Sequence, residues 1–411
     1  MNMDKNDYLT FTFIEDGSIS LYWEPEEGSA SNIMYRINNG DWIIYPTASI
    51  SISVFKDDVV QWKGDDYCHG HKYSGWNLEK PGFVINGKCK ASGEIQSLNS
   101  FSNLAGFYDY YCMFYDCKSL ITPPKLSATK IAGFCYSKMF YGCSKLIEAP
   151  KLPATDLPIE CYYEMFYNCR NIKSGPNVLQ AECADDSACY YMFYNCKKLL
   201  KAPELPASKV CSGAYYGMFF NCSSLLEAPK LPATTVENRC YYNMFRNCKS
   251  LVKAPNELPA LKLEKECYQY MFYCCSSLKT APKLLATTLA PHCYEEMFWD
   301  CKELVNAPEL PTTELADSCY RGMFVGCSSL IVAPKLPALT LAEYCYDFMF
   351  GYCSSLKTAP DLPATVLANG CYTSMFSRCT SLTSMPKLPI EALDERYSAC
   401  MYEDTNLKIN K

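Results

Sequence analysis

Cys240-Tyr241-Tyr242-Asn243-Met244-Phe245-Arg246-Asn247-Cys248-Lys249-Ser250-Leu251 is one copy of a motif that recurs through most of this chain. Its Met-Phe centre returns at Met113, Met139, Met165, Met192, Met218, Met271, Met297, Met323, Met349 and Met375, every 26 or 27 residues, and Met401-Tyr402 is a degenerate last copy. A typical second half reads Leu225-Leu226-Glu227-Ala228-Pro229-Lys230-Leu231-Pro232-Ala233-Thr234-Thr235-Val236. A period of this size marks a stacked-coil architecture in which no coil buries its own apolar side and neighbouring coils do so together.

Within a copy, Cys240, Met244 and Cys248 stand at i, i+4 and i+8, and Tyr241 and Phe245 at i and i+4. That spacing predicts a short helix with one apolar stripe, too short to be stable without its neighbours. In the second half Leu225, Ala228 and Leu231 are expected to point inward. The proline of the Ala-Pro step (Pro150, Pro203, Pro229, Pro282, Pro308, Pro334, Pro360) removes one backbone donor per coil. Short strands or polyproline-like segments follow, not a long regular sheet. The expected fold is an α/β solenoid of about 12 coils, with short helices and short strands, behind a small all-β domain. The plan is 1–80 all-β and sandwich-like, 81–108 connector or N-cap, 109–393 solenoid, and 394–411 C-terminal cap. In the first of these, Leu9–Phe13, Ser18–Tyr22, Trp42–Tyr45, Ile50–Val54 and a run through Val59, Val60 and Trp62 read as strands, with Asn38-Asn39-Gly40 as a hairpin turn.

The chain has 411 residues, 27 of them cysteine, and a net charge of −6. The negative balance argues against a general nucleic-acid binder. No apolar run reaches the roughly 18 residues of a membrane span, so membrane insertion is not expected. The N-terminus lacks the apolar stretch of a secretory signal, so export of the chain as given is not expected by that route. The cysteines fall in columns four residues before and four after the Met, and a column of identical residues reads first as a packing ladder of reduced, buried thiols, ahead of disulfides or zinc. Another column, Glu204, Lys230, Glu257, Lys283, Glu309, Lys335, Asp361 and Lys387, alternates in sign. It reads as register-setting and solubility.

The run Cys-Tyr-x-x-Met-Phe-x-x-Cys-x-Ser-Leu-x-x-Ala-Pro-x-Leu-Pro-Ala-Thr resembles the BspA-like leucine-rich repeats of Bacteroides-type surface proteins and of phages of those bacteria. The shared core is seen in Met323-Phe324-Val325-Gly326-Cys327-Ser328-Ser329-Leu330, and Ser92–Leu98 resembles the lead-in of the longer-coil subgroup. The family usually has Ala-Phe and a shorter coil. The resemblance implies a leucine-rich-repeat fold and a role in adhesion or recognition, with no catalytic residues.

The chain contains no phosphate loop and no nucleophile elbow, and no enzyme activity, cofactor or metal is expected. Cys68-His69-Gly70-His71 reads as a loop with incidental ligands. The surface that draws attention is aromatic: Tyr115, Tyr141, Tyr167, Tyr194, Phe220, Tyr273 and Trp299 two residues after the Met, and Tyr163, Tyr216 and Tyr242 two before it. Such a ribbon is either a ligand-binding face or a ladder of rings stacked on one another. The readings of function are a phage virion component for fibre or receptor binding, a bacterial surface adhesin, or a structural spacer. The partners would be protein or carbohydrate on a cell surface, with a virion or other assembly held through the β-domain.

Overall fold

The computed structural model describes residues 7–22, 32–65, 82–386 and 394–407. The chain divides into two compact units, one up to Glu204 and one from Leu205 onward.

The first unit opens with antiparallel sheets built from β1 (Leu9–Phe13), β2 (Gly17–Leu21), β3 (Ile33–Ile37), β4 (Ile43–Ile44), β5 (Ile52–Val54), β6 (Val59–Gly64), β7 (Phe83–Asn86) and β8 (Cys89–Ser92). One sheet runs β4-β3-β6-β1-β8 and the other β5-β2-β7. Alternation of apolar and polar residues sends Leu9, Phe11 and Phe13 of β1 inward. The Asn38-Asn39-Gly40 turn forms as expected, with Asn38 and Asn39 at φ 51° and 60°, as a mirror-image hairpin turn requires. β3 was not singled out in the sequence. β7 and β8 fall in the stretch read as a connector, yet they pair with β2 and β1.

Aromatic side chains from the two sheets meet. The Phe83 ring lies 5.2 Å from Trp62 and 5.0 Å from Phe11. The same ring stacks on Phe114 of the first coil at 5.5 Å and 8°. Ser97, fully buried in a 3₁₀ turn at Ile95–Asn99, donates to the Trp62 carbonyl and accepts from the Leu9 amide. Sheet and repeat thus share one core in this unit.

The repeat does not form the expected helices. Among the described residues the α-helical stretch is one four-residue turn, Glu395–Ser398. In the first coil Tyr108, Cys112 and Asp116 have φ of 60°, 53° and 57°, a left-handed conformation that an α-helix excludes. The amides alternate their partners. Met113 and Cys117 donate within the coil, to the carbonyls of Tyr110 and Phe114, whereas Cys112, Phe114 and Asp116 donate to Ser137, Met139 and Tyr141 of the next coil. In the second unit Arg239, Asn243 and Asn247 have φ of 55°, 57° and 61°. There Asn243, Phe245 and Asn247 donate to Gln269, Met271 and Tyr273.

The result is a ribbon of tight turns, each four-residue step ending in a left-handed residue. The periodicity of four that suggested a helix is real, and the Cys-Met-Cys and Tyr-Phe stripes are buried as that spacing implies. The backbone differs for a reason of spacing. The Phe114, Phe140, Phe166 and Phe193 rings stack 5.2–5.5 Å apart, close to the ~4.8 Å between strands. Helices would hold coils 8–10 Å apart. The second unit has the same ladder from Phe219 to Phe376 at 5.5–5.7 Å.

The extended half behaves as the prolines predict. Parallel strands are two residues long, as in Lys130–Ile131 on Leu104–Ala105 and Lys283–Leu284 on Glu257–Leu258, and isolated bridges such as Lys253 to Thr280 continue them. Glu257 and Lys283 of the alternating column lie opposite one another in that ladder. The fold is therefore a leucine-rich-repeat-like array of turns, short parallel strands and aromatic ladders.

The cysteine columns have a bonding role as well as a packing one. Thiols four residues after the Met donate to the backbone carbonyl of the preceding coil's Met-Phe phenylalanine. Cys143 reaches Phe114 at 3.0 Å and Cys169 reaches Phe140 at 3.0 Å in the first unit. Cys248, Cys275, Cys301, Cys327, Cys353 and Cys379 do the same at 3.0–3.2 Å in the second. Every described cysteine is a free thiol. Burial pushes the Cys89 and Cys379 thiols up to about 12 and the interior ones further.

Candidate ligand-binding face

The turn ribbon sets which side chains reach solvent. Left-handed residues one before and three after the Met, and the columns two before and two after it, flank the buried stripe. In the first unit Tyr115, Tyr141, Tyr167 and Tyr194 form a continuous parallel stack at 4.7, 4.7 and 4.3 Å. Tyr163 stacks on Tyr190 at 5.0 Å, and Tyr191 meets Tyr167, Tyr190 and Tyr194 edge-on. All seven rings are half-buried. Their faces cover one another, so edges and hydroxyls are what they present. Tyr190 and Tyr191 escaped the sequence reading, although Tyr190 stands two residues before Met192 in a column already identified.

In the second unit Tyr216 stacks on Tyr242 at 4.6 Å, and Tyr273 on Trp299 at 5.7 Å and 17°. Between Phe220 and Tyr273 the column holds Arg246 in place of a ring. Its guanidinium lies 4.2 Å from the Tyr273 centroid, 5.4 Å from Tyr270 and 5.5 Å from Phe220, within cation–π range. After Trp299 the column turns small, to Val325, Gly351 and Ser377, and the Phe348 ring leans over Gly351 to meet Trp299 at 5.9 Å. The predicted tyrosines and Trp299 are thus gathered in stacks within each unit, and Phe220 faces the Arg246 guanidinium.

Beside these rings runs a polar chain that sequence reading missed. The column two before the Met changes from tyrosine to Gln269, Glu295, Arg321 and Asp347, and this switch was the available signal. Gln269 donates to Glu295 Oε2 at 2.5 Å, and the Nδ1 of His292 lies 2.7 Å from the same oxygen. Arg321 donates to Glu295 at 3.1 Å and to Asp347 at 2.9 Å. Burial pushes the Asp347 carboxyl up, against the pull of Arg321. Glu266 is pushed up by burial, but Arg239 and Lys265 outweigh that and hold it below its usual range. Glu296 is different. Among the described residues its carboxylate makes no ion pair, and burial with the neighbouring Glu295 pushes it up to about 7 despite Arg321 and Arg246. The Cys68–His71 cluster lies outside the described residues.

No family model matches the chain, and no curated protein matches it. Among solved structures, it is similar to a leucine rich cell surface protein from Faecalibacterium prausnitzii A2-165. The two are 17% identical with a TM-score of 0.33, over 72% of this chain and 85% of that one. It is also similar to a leucine-rich repeat protein from Bacteroides ovatus ATCC 8483, at 18% identity and a TM-score of 0.36, over 69% and 76%. Likeness at this level transfers no function. The repeat architecture rests on the chain's own ladders.

Proposed function

We propose that this chain is a non-enzymatic recognition protein that works at a bacterial cell surface, with the aromatic ribbon and its polar neighbours as the ligand-facing side. One observation carries the reading. The buried columns keep their residue types coil after coil, with Met and Phe invariant from Met113-Phe114 to Met375-Phe376. The columns beside them, half-buried as far as Trp299 and buried at Val325, Gly351 and Ser377, do not. The position two after the Met runs Tyr, Tyr, Tyr, Tyr, Phe, Arg, Tyr, Trp, Val, Gly, Ser. A spacer needs only the repeating part, whereas a binding face needs local differences on a rigid scaffold. Most of the free thiols are buried, and those of the ladder four after the Met are hydrogen-bonded, which fits a place outside a reducing compartment.

The test has two arms. Immuno-gold labelling with an antibody to the repeat should decorate the outer face of cells; label on phage particles would replace the adhesin reading with a virion one, and cytosolic label would overturn both. Replacing Tyr167, Tyr194 and Trp299 together with Ala should abolish attachment to target cells while the far-ultraviolet spectrum is retained. Attachment unchanged in a folded variant would leave the array as a spacer.

A further inference from the structure

The columns flanking the buried stripe of the second unit depart from the repeat most sharply over three successive coils, those of Met244, Met271 and Met297, where Arg246, Tyr270, Tyr273, Glu296 and Trp299 are half-buried and Asn243 is buried. One before each Met stand Asn243, Tyr270 and Glu296, and two after it Arg246, Tyr273 and Trp299. The rings order this grid. Tyr273 stacks on Trp299, Tyr270 meets Tyr273 edge-on at 6.0 Å, and the Arg246 guanidinium lies within cation–π distance of both tyrosines.

We propose that Arg246, Tyr270, Tyr273, Glu296 and Trp299 form a saccharide-binding patch that takes a neutral pyranose of a surface oligosaccharide. This deepens the recognition reading above and rests on it.

Three features point to a sugar. First, the two charged groups are opposite in kind and both are underused. The Arg246 guanidinium makes one hydrogen bond, from Nη1 to Asn243 at 3.3 Å, and its Nε is buried with no partner. The Glu296 carboxylate makes none among the described residues. A guanidinium only donates and a carboxylate only accepts, whereas a hydroxyl does both. A ring carrying several hydroxyls can serve the two at once. An apolar peptide side chain would leave both unmet, at the cost of desolvating them.

Second, Trp299 supplies rigid apolar surface in the same patch, of the kind that the axial hydrogens of a pyranose cover, and Tyr273, between Arg246 and Trp299, supports it. Trp299 is the last ring of its column, and beyond it Phe348 meets it edge-on. The next residue in its column is Val325, and Gly322 beside it has no side chain, so that a Cβ there would sit 3.4 Å from the indole and 2.9 Å from Glu296. The four tyrosines of the first unit differ, since their faces are occupied by one another.

Third, the polar chain alongside is already satisfied. Arg321 is held by Glu295 and Asp347, which fixes the wall of the patch without competing for ligand. Arg246 and Glu296 put opposite kinds of charge in one patch, which therefore offers no single-sign field to a charged sugar, so the choice falls on a neutral one.

The experiment uses the full chain on a panel of immobilised neutral and acidic oligosaccharides, with the thermal transition of each variant measured alongside. Wild type should bind members of the neutral set. Glu296→Ala and Trp299→Ala should each weaken that binding by about tenfold or more, while Val332→Ala, at an exposed position in the extended half of its coil, should change it less than about twofold. Arg246→Lys, which keeps charge but loses the planar fork, guards against a folding artefact and should also weaken it. Absence of binding to any sugar, binding confined to acidic sugars, or equal loss in Val332→Ala would overturn the proposal. If cells still attach and protease treatment of the cells abolishes attachment, the sugar class falls while recognition stands. If neither cells nor sugars are bound, both fall.

Discussion

Glu296 is the residue whose environment has the most direct consequence in solution. Its backbone is left-handed, at φ 51°, and its carboxyl faces Glu295, Arg321 and Arg246 from three coils. Because its folded value is about 7 against an ordinary 4.5, the folded state holds the proton more tightly than the unfolded one. The group therefore favours folding below 4.5, and that contribution is lost as pH rises from 4.5 to about 7. Glutamine imitates the protonated acid. Glu296→Gln should match wild type in thermal midpoint at the acid end of that window and exceed it at the alkaline end. A constant difference across the window would mean that the carboxyl is not the titrating group. Gly93 tests the other unit at the same scale. At φ 73°, an added Cβ would lie 1.8 Å from the Tyr8 carbonyl oxygen. Backbone cannot yield as a side-chain tip can, so Gly93→Ala should cost at least about 3 kcal/mol in denaturant unfolding.

The turn ribbon is where sequence and structure part, and the reason is physical. Hydrophobic spacing reports which side chains share a face, and it did so correctly for Cys240, Met244 and Cys248. It does not report the sign of φ. That information lay in another column, three residues after the Met, where Asp116, Gly142, Asn168, Asn195, Asn221, Asn247, Asp300, Gly326 and Asp404 supply residue types that tolerate the left-handed region. The N-terminal strands were more legible because period two and Asn-Asn-Gly point the same way. The polar chain at Glu295 was not, since it shows only as a loss of tyrosine. Asn247 separates ribbon from helix. In a helix interior Asn→Gly would be neutral to destabilising by a few tenths of a kcal/mol, and Asn→Ala stabilising by about 0.5. In the left-handed position the order reverses: Asn247→Gly should be neutral or stabilising, and Asn247→Ala should cost about 1 kcal/mol. The midpoints of chemical unfolding decide. The thiol ladder adds a second check on the same element. Cys301→Ala removes the bond to Phe272 and some packing volume, so a loss of about 1–3 kcal/mol is expected, with no loss if the contact is incidental.

For the whole molecule the question is why so many cysteines are tolerated. A thiol reacts as thiolate, and burial suppresses thiolate along the ladders. Of the 26 described cysteines, Cys400 is exposed, Cys183 and Cys274 are half-buried, and the rest are buried. Burial raises Cys274 further, with Asp300 adding to it. A chromogenic disulfide reagent added to native protein at neutral pH should therefore modify Cys400 promptly and Cys183 and Cys274 slowly, with the remaining described thiols appearing only in denaturant. Peptide mapping of the labelled sites would assign them. Prompt reaction along the Cys143–Cys169 or Cys248–Cys379 columns would show that the ladders open readily and that the protein depends on a reducing environment. Protection of those columns would mean that the same packing which aligns the aromatic face also shields the chain from oxidation, so that a thiol-rich repeat can serve outside a cell.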